Sequence, residues 1–364
     1  MKLLYITNAI NGSGGLERVL ATKASYFADV SNYDVHVLVL NNGAEYPFFE
    51  FSAKINFHNV SVLGNPISYI QQYVRGIKDV VSKVNPDIVL VCDDGLKAFF
   101  LPKILKQFGK PIIYERHVSK LIELPHNASP VQQLIAKVKW RIMERNAKKF
   151  AAFVVLTEGN KQEWKSLTNL VVIPNPLPEL PIEKSSLSAK RIISVGKVSY
   201  QKGQDIMVAI WDRIAEKFPE WEWHNYGKLD DDFVDSNALP KRMYFHPPVK
   251  DINSEYLNSS IFALTSRYEG FGMVLIEAMA CGVPCVSFDC NYGPGDIIRN
   301  GEDGFLIENG NMGEFSAKQF ALIKSEELRR TMGEKAQINV QRFAEHSVLE
   351  QWHQLFLKLI NNES

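Results

Sequence analysis

The sequence predicts a two-domain α/β protein in which each domain is a parallel β-sheet covered by helices. The chain has 364 residues, which is long for a single hydrophobic core and favours two domains. Short apolar runs alternate along it with stretches of helical periodicity, as expected of repeated β-α-β units. This alternation is interrupted between about Pro174 and Lys190, where prolines and then serines dominate. Such a segment suits neither a helix nor a central strand, so the two domains are expected to join there.

The apolar runs have the length and composition of buried strands. In the first half they are Lys2–Thr7, Asp34–Leu40, Asp87–Cys92, Pro111–Tyr114 and Ala152–Leu156. In the second half they are Arg191–Val195, Trp221–Tyr226, Arg242–His246, Ile261–Thr265, Pro284–Phe288 and Gly304–Ile307. We therefore predict a first domain at residues 1–177, a linker at 178–190 and a second domain at 191–346. Because parallel sheets present ligands at the carboxyl ends of their strands, we expect two Rossmann-like halves facing one cleft.

Composition and charge exclude several classes of protein. Lysine plus arginine and aspartate plus glutamate each number 41, so net charge does not indicate a nucleic acid partner. No apolar run reaches the ~18 residues of a membrane-spanning helix. The apolar start ends at Asn8, which favours a first strand over a signal peptide. The cysteines lack the spacing of a zinc site, and we expect free thiols in a reducing cytoplasm at Cys92, Cys281, Cys285 and Cys290.

The segment from Ser266 to Glu277 has the most informative pattern in the chain. It places Glu269 and Glu277 eight positions apart, separated by a Gly-Phe-Gly turn and an apolar run. Gly270 and Gly272 permit a tight bend at the start of a helix that Gly282 and Pro284 would end. The free N–H groups and positive dipole of a helix start favour a phosphate group. A pair of solvated glutamates around a core helix is the alternative, but a carboxylate within an apolar run is costly without a partner.

This segment resembles the signature of retaining glycosyltransferase family 4, the nucleotide-sugar transferases of GT-B fold. The family's other motifs occur in the same order along the chain. They are Gly14-Gly15-Leu16-Glu17-Arg18, Val172-Ile173-Pro174-Asn175-Pro176, Val195-Gly196-Lys197 followed by Gln201-Lys202-Gly203, and Tyr292-Gly293-Pro294-Gly295-Asp296-Ile297-Ile298. The resemblance spans nearly the whole chain. It implies an acceptor-side first domain, a donor-binding second domain, and a final helix in 347–364 that packs back towards the first domain.

The resemblance also implies which residues bind the donor. Glu277 would bind the ribose hydroxyls and Glu269 the sugar hydroxyls, and Val249 lies in the stretch that contacts the nucleobase. The donor-binding positions are Gly14, Gly15, Gly196, Val249, Gly270, Phe271, Gly272, Met273 and Glu277. Arg18 is expected to attract an acceptor phosphate, with a solvated charge in the first helical turn as its alternative. The Gly293-Pro294 segment favours a UDP-sugar.

Lys197 and Lys202 are expected to stabilise the departing diphosphate. A nucleotide-sugar transferase needs either a metal ion or fixed cations for this purpose. Two lysines near a helix start would supply the cations, although each also fits an ordinary surface lysine. The family usually has arginine at the first position, so Lys197 keeps the charge without the forked hydrogen-bonding geometry.

Two other kinds of site conflict with the sequence. Asp230-Asp231-Asp232 contains the pattern with which GT-A transferases hold manganese, but it stands in a polar run and is expected to be a solvated loop. A nicotinamide-binding fold needs Gly-x-Gly-x-x-Gly and an acidic residue after the second strand, whereas that strand ends here in Asn41-Asn42-Gly43. We therefore predict that the protein requires no metal ion and no cofactor.

His117 completes the expected catalytic set of Lys202, Glu269, Lys197 and His117. It follows the strand that ends in Tyr114-Glu115-Arg116 and resembles the family's histidine beside the reacting sugar, with a structural histidine as the alternative. By this resemblance, transfer proceeds with retention, and the leaving phosphate deprotonates the incoming hydroxyl. A retaining glycosidase would instead use a carboxylate nucleophile about 5 Å from its acid partner.

The stretch 131–150 indicates where an acceptor is found. It combines apolar residues with the basic residues Lys137, Lys139, Arg141, Arg145, Lys148 and Lys149, against Glu144 alone. Such a helix can lie on anionic lipid; the alternative is a core helix with a solvated basic face. The first interpretation fits a cytoplasmic protein bound to the inner face of a membrane. Its acceptor would be a glycan or a lipid-linked sugar in capsule, exopolysaccharide or lipopolysaccharide assembly.

Two other functions are compatible with the same motifs. A GT-B epimerase or hydrolase would act on the nucleotide sugar without an acceptor. A non-catalytic module would bind the nucleotide sugar without turnover. Release of nucleoside diphosphate, measured with and without acceptors, separates these functions from transfer.

Overall fold

The computed structural model describes residues 1–12, 14–41, 46–124, 127–177, 181–230, 232–235 and 238–361. The chain divides into two compact units, Met1–Pro178 with Glu345–Ser364, and Glu179–Ala344. The second unit is therefore inserted into the sequence of the first.

Residues 181–190, placed in the linker by the sequence, pack within the second unit. The Ser185 hydroxyl donates to the carbonyl of Ser259 at 2.6 Å. The buried Arg329 guanidinium donates to the carbonyl of Leu187 at 3.0 Å. These hydrogen bonds order a segment that contains no helix or strand.

The first unit contains a parallel sheet whose described strands are β1 (Lys2–Thr7), β2 (Asp34–Leu40), β3 (Asn56–Val60), β4 (Ile88–Cys92), β5 (Ile112–Arg116), β6 (Ala152–Val155) and β7 (Leu170–Val172). Their order across the sheet is β3-β2-β1-β4-β5-β6-β7. Successive residues of β1 point to opposite faces, so that Leu4 and Ile6 join one apolar cluster while Leu3 and Tyr5 join another. The sheet is thus buried on both faces, as parallel sheets require.

The described helices of the first unit differ in whether a side chain caps their first turn. They are α1 (Gly15–Asp29), α2 (Pro66–Val84), α3 (Leu101–Ile104) and α4 (Pro130–Ala147), with 3₁₀ turns at Leu96–Phe100, Lys106–Phe108, Lys120–Glu123 and Gly159–Glu163. The Asn65 side chain accepts hydrogen bonds from two backbone N–H groups at the start of α2. Ser129 and Gln132 form a capping box at the start of α4.

The second unit repeats the architecture with the strands β8 (Arg191–Val195), β9 (Glu222–Tyr226), β10 (Met243–His246), β11 (Ile261–Leu264), β12 (Cys285–Asp289) and β13 (Gly304–Glu308). Over the described residues this sheet is also parallel, in the order β10-β9-β8-β11-β12-β13. Its helices are α5 (Gln204–Ala215), α6 (Ile252–Leu257), α7 (Met273–Ala280), α8 (Pro294–Ile297), α9 (Met312–Lys324) and α10 (Glu326–Val340), followed by a 3₁₀ turn at Gln341–Phe343.

The last helix, α11 (Glu345–Asn361), belongs to the first unit. Its buried residues Val348, Leu349, Trp352 and Phe356 join the apolar cluster that contains Leu3 and Tyr5. The Phe356 ring lies 5.2 Å from that of Phe27 on α1, measured between centroids. No helix in the described part of the chain is both long and apolar enough to cross a bilayer.

Candidate functional site

The start of α7 has the geometry that its glycines predict. Gly272 precedes the helix with a φ of 101°, and Gly282 follows it with a φ of 72°. Both values lie in the left-handed region, where glycine carries no steric penalty. The predicted helix after the Gly-Phe-Gly turn is therefore confirmed, and its first N–H groups are free of any side-chain cap.

Lys202 and Glu269 form an ion pair immediately before this helix. The Lys202 Nζ lies 2.7 Å from Glu269 Oε1, and the Ser266 hydroxyl donates to the same oxygen at 2.6 Å. Glu269 is buried, whereas the Lys202 side chain keeps 21% of its surface exposed. A cation is thus held in a fixed place with one side still accessible to a ligand.

The loop that carries Lys202 is bound to the strand end that carries Glu269. Gly203 has a φ of 68°, and a Cβ there would lie 2.2 Å from the carbonyl oxygen of Thr265. The Thr265 hydroxyl donates to the carbonyls of Lys202 and Gly203 at 3.2 and 3.0 Å. Gly196 lies against the aliphatic part of Lys202, since a Cβ there would be 3.3 Å from Lys202 Cδ. The structure therefore brings Gly196, Lys202 and Glu269 together from distant parts of the sequence.

The segment before α8 packs on the same turn. The Glu269 N–H donates to the Asn291 carbonyl at 2.9 Å, and the Tyr292 N–H donates to the Glu269 carbonyl at 3.1 Å. A Cβ on Gly293 would lie 1.9 Å from the carbonyl oxygen of Phe271. Only glycine allows this approach, which explains why Gly293 accompanies the Gly-Phe-Gly turn.

Glu277 occupies a different place from Glu269. It is buried on α7, and the Tyr256 hydroxyl of α6 donates to its Oε2 at 3.1 Å. Tyr256 is itself fully buried, so the carboxylate is held by a side chain that the sequence analysis did not single out. The cost of burying this carboxylate is thus reduced by a hydrogen bond from within the second unit.

The remaining positions in the second unit are more accessible. Lys197 and Val249 are exposed, and Gly270 and Met273 are half-buried. Lys197 therefore lies on the surface after β8, whereas Lys202 lies beside the carboxylate. Asp230 and Asp232 are half-buried and exposed respectively, and Asp231 lies outside the described residues.

In the first unit the predicted residues follow the carboxyl ends of the strands. Gly14 and Gly15 are exposed at the start of α1, and Arg18 is half-buried one turn later. His117 follows β5, and its Nε2 lies 3.2 Å from Glu115 Oε2. That oxygen also lies 2.6 Å from the Nζ of Lys23, with both side chains of this ion pair almost fully buried.

Glu115 and Lys23 are functional candidates that motif comparison missed. Burial alone raises the pKa of Glu115, but the Lys23 ammonium and His117 outweigh it and bring the pKa to about 2. The carboxylate is therefore ionised at neutral pH. A signal was present in the sequence: both charged residues stand within largely apolar segments, where an unpaired charge would be costly.

Three side chains in this region have the chemistry of metal ligands but do not fit a metal ion. Ligand atoms of Cys92, Glu115 and His117 lie within 4.8 Å of one another. Burial, and next Glu115, raise the pKa of the Cys92 thiol well above its usual range, which favours the protonated form. The Lys23 ammonium already neutralises the carboxylate, so a second cation there would be repelled.

Helix α4 has apolar side chains on two opposite faces. Ala136, Met143 and Ala147 are buried against the first unit. A second apolar row remains between 37% and 66% exposed: Val131, Leu134, Ile135, Val138 and Ile142. This exposed row is thus distinct from the face of α4 that packs on the rest of the first unit.

A basic row borders the exposed apolar row of α4. Lys137, Arg141 and Arg145 follow one another at intervals of four and are all exposed. Lys139 points elsewhere and forms an ion pair with Glu123 at 2.6 Å.

Two family models and several known proteins match this chain. A model described as glycosyltransferase family 4 matches residues 13–178, and one described as glycosyl transferases group 1 matches residues 180–338. The chain is 27% identical to an amylovoran biosynthesis glycosyltransferase of Erwinia amylovora, over 97% of this chain and 99% of that protein. It is 24% identical to a lipopolysaccharide 1,6-galactosyltransferase of Salmonella typhimurium, over 86% and 88% of the two chains.

A solved structure of similar fold is that of the Anabaena protein HepE in complex with UDP. Its TM-score is 0.78 at 19% identity, and the match covers 98% of this chain and 100% of that one. Together the two parallel sheets, the family matches and the structural neighbours define a glycosyltransferase of GT-B fold. The chain belongs to glycosyltransferase family 4, the glycosyl transferases of group 1.

Proposed function

We propose that the protein is a retaining, metal-independent glycosyltransferase that uses a UDP-sugar. It moves a hexosyl or N-acetylhexosaminyl unit to a glycan or lipid-linked acceptor in cell-surface polysaccharide assembly. The observation that carries this proposal is the Lys202–Glu269 ion pair beside the uncapped, glycine-rich start of α7. A fixed cation next to free N–H groups is suited to a diphosphate leaving group.

In this reaction, each predicted site residue named here from the second unit has a distinct role. Lys202 and the start of α7 stabilise the charge that grows on the leaving phosphate. Lys197, which is exposed, adds a further positive charge after β8. Glu269 binds hydroxyls of the transferred sugar, and Ser266 fixes its orientation. Glu277, held by Tyr256, binds the ribose.

The chemistry on the acceptor side requires no carboxylate nucleophile in this mechanism. The leaving phosphate takes the proton of the incoming hydroxyl on the same face of the sugar, which gives retention at the anomeric carbon. Support for the donor comes from HepE, which was solved with UDP. Support for the acceptor class comes from the Salmonella relative, a lipopolysaccharide galactosyltransferase.

Incubation with a panel of nucleotide sugars tests the proposal. We expect acceptor-dependent release of UDP, with the anomeric configuration of the donor retained in the product, and full activity in the presence of EDTA. NMR of the product reads the configuration. Hydrolysis without an acceptor, or binding without turnover, would establish one of the two alternative functions. Loss of transfer in EDTA with recovery in manganese would disprove the metal-independent mechanism.

We further propose that α4 binds the surface of an anionic membrane, where a lipid-linked acceptor is found. The exposed apolar row can enter the boundary between headgroups and acyl chains. The adjacent row of Lys137, Arg141 and Arg145 then faces the negatively charged headgroups. An exposed apolar row with a basic border favours anionic lipid over a neutral protein partner.

Reversing Lys137, Arg141 and Arg145 to glutamate is expected to lower binding to anionic vesicles by more than a hundredfold. Each basic residue near such a surface contributes about 1 kcal/mol, and every 1.4 kcal/mol is about tenfold in affinity. Sedimentation with vesicles of phosphatidylglycerol measures the effect. UDP binding should remain unchanged.

A matched control reverses the exposed Lys324, Lys335 and Lys358 on other helices, which should leave vesicle binding nearly intact. A second variant, Leu134→Ser with Val138→Ser, tests the apolar row without a change of charge. Equal losses of vesicle binding in the control and in the α4 charge variant would show that binding depends on the net charge of the protein and not on α4. Wild-type protein that ignores the vesicles at low salt would disprove the membrane proposal.

A further inference from the structure

One carboxylate oxygen beside His117 contacts two side chains. Glu115 Oε2 lies 2.6 Å from Lys23 Nζ and 3.2 Å from His117 Nε2. Its other oxygen, Oε1, accepts a weaker hydrogen bond from the Cys92 thiol at 3.4 Å. The buried carboxylate is thus contacted from α1, from β4 and from the residue that follows β5.

Trp352 of the C-terminal helix packs on the Lys23 ammonium. The Lys23 Nζ lies 3.5 Å from the centroid of the Trp352 ring, within the range of a cation–π interaction. Lys23 is therefore held between an indole face and a carboxylate. This restricts the ammonium to one position and, through it, the Glu115 oxygen that His117 contacts.

We propose that Glu115 is a positioning residue that holds His117 in one tautomer, with the proton on Nε2 and a lone pair on Nδ1. An ionised carboxylate only accepts hydrogen bonds, so the ring nitrogen that faces it carries the hydrogen. In a neutral imidazole only one of the two ring nitrogens carries hydrogen. The Nδ1 atom then becomes the acceptor.

His117 Nδ1 is buried and has no hydrogen-bond partner within the described ranges. A buried polar atom without a partner costs free energy, which a ligand hydroxyl would recover. We therefore assign His117 Nδ1 the task of accepting a hydrogen bond from a substrate hydroxyl. This assignment rests on the proposed function, whereas the tautomer itself does not.

The tautomer is tested directly on the wild-type protein. Long-range proton–nitrogen NMR of protein labelled with ¹⁵N-histidine distinguishes the two ring nitrogens, and His117→Gln identifies the resonances. We expect His117 to carry its proton on Nε2 at neutral pH. A proton on Nδ1, or on both nitrogens, overturns the proposal whether or not the protein transfers sugars.

Paired substitutions separate positioning from simple charge balance. In Lys23→Met/Glu115→Met the buried ion pair is replaced by apolar side chains of similar size, which is often neutral for stability. We expect His117 to lose its single tautomer and kcat to fall roughly 10²-fold, the effect of a misplaced group. The Kd for UDP should not change. A folded double variant with wild-type kcat and tautomer would show that Glu115 only neutralises Lys23.

Glu115→Gln provides the conservative variant. Lys23 only donates hydrogen bonds, so the amide oxygen must take the place of Oε2, where it still accepts from His117. We expect the Nε2 tautomer to be kept and kcat to fall less than tenfold. Cys92→Ala, which touches only the other oxygen, should leave both unchanged. A lost tautomer in Glu115→Gln, or an equal effect of Cys92→Ala, would contradict the proposal.

Discussion

Replacing Lys202 with alanine is expected to lower kcat by roughly 10²–10³, the usual loss when one oriented charge stabiliser is removed. Its Nζ is fixed 2.7 Å from Glu269, so the cation is in place before the leaving group develops its charge. A flexible surface lysine would first have to lose conformational freedom, and it would contribute less. Single-turnover kinetics with a saturating donor measure the effect.

The unpaired carboxylate left by Lys202→Ala needs its own control. Glu269 is buried, so the single variant leaves a negative charge without its cation. Lys202→Ala combined with Glu269→Gln removes that charge and should recover stability, measured by thermal unfolding, without recovering kcat. Lys335→Ala, an exposed lysine of the same unit, should behave as wild type. Unchanged turnover in folded Lys202→Ala would remove this residue from the site.

Substitution of the two glutamates of the site is expected to affect different kinetic constants. Glu277→Gln should mainly raise KM and weaken binding of UDP by about tenfold to hundredfold, because a hydrogen bond to a charged group contributes about 1.5–3 kcal/mol. The ribose changes little during reaction, so kcat should change little. Glu269→Gln should mainly lower kcat, because the sugar it binds changes charge and shape in the transition state.

Isothermal titration with UDP makes this contrast sharper, since UDP lacks the transferred sugar. Glu277→Gln should bind it worse, and Glu269→Gln nearly as well as wild type. Tyr256→Phe is a matched test, because it removes the hydroxyl that holds Glu277 and should weaken UDP binding in the same direction by a smaller factor. Equal losses of UDP affinity in both glutamate variants would contradict the assigned roles.

The strands of both sheets were predictable because parallel strands are buried on both faces and appear as apolar runs. β1, β2 and β8 have the predicted bounds. The strands β3 and β7 were not predicted. β3 lies at a sheet edge with the sequence Asn-Phe-His-Asn-Val and is largely exposed, and β7 has only three residues. An exposed edge strand needs no continuous run of apolar residues, and a strand of three residues is shorter than the runs used to predict strands.

From local patterns alone, the site was predictable only where its residues are close in sequence; Gly196 and Lys202 were expected beside Glu269 because of the family resemblance. The turn and helix from Glu269 to Glu277 are local, and their glycines indicate the backbone geometry. The partners Tyr256 and Lys23 lie on other elements; an apolar neighbourhood indicates that a charge needs a partner, but no local pattern identifies which residue pairs with it. Which face of α4 is buried was also hidden, because both faces carry apolar residues and periodicity alone cannot choose between them.

The insertion of the second unit within the first has a consequence for biosynthesis. Residues 179–344 form a continuous segment with its own apolar core, so every residue of that core is synthesised before α11. The first unit, although synthesised earlier, lacks Trp352 and Phe356 until α11 emerges. Until then Lys23 has no indole beside it and the apolar face around Phe27 stays open. The apolar face that α11 covers is therefore exposed in the nascent first unit while residues 179–344 are synthesised. Chaperones have access to it during that time.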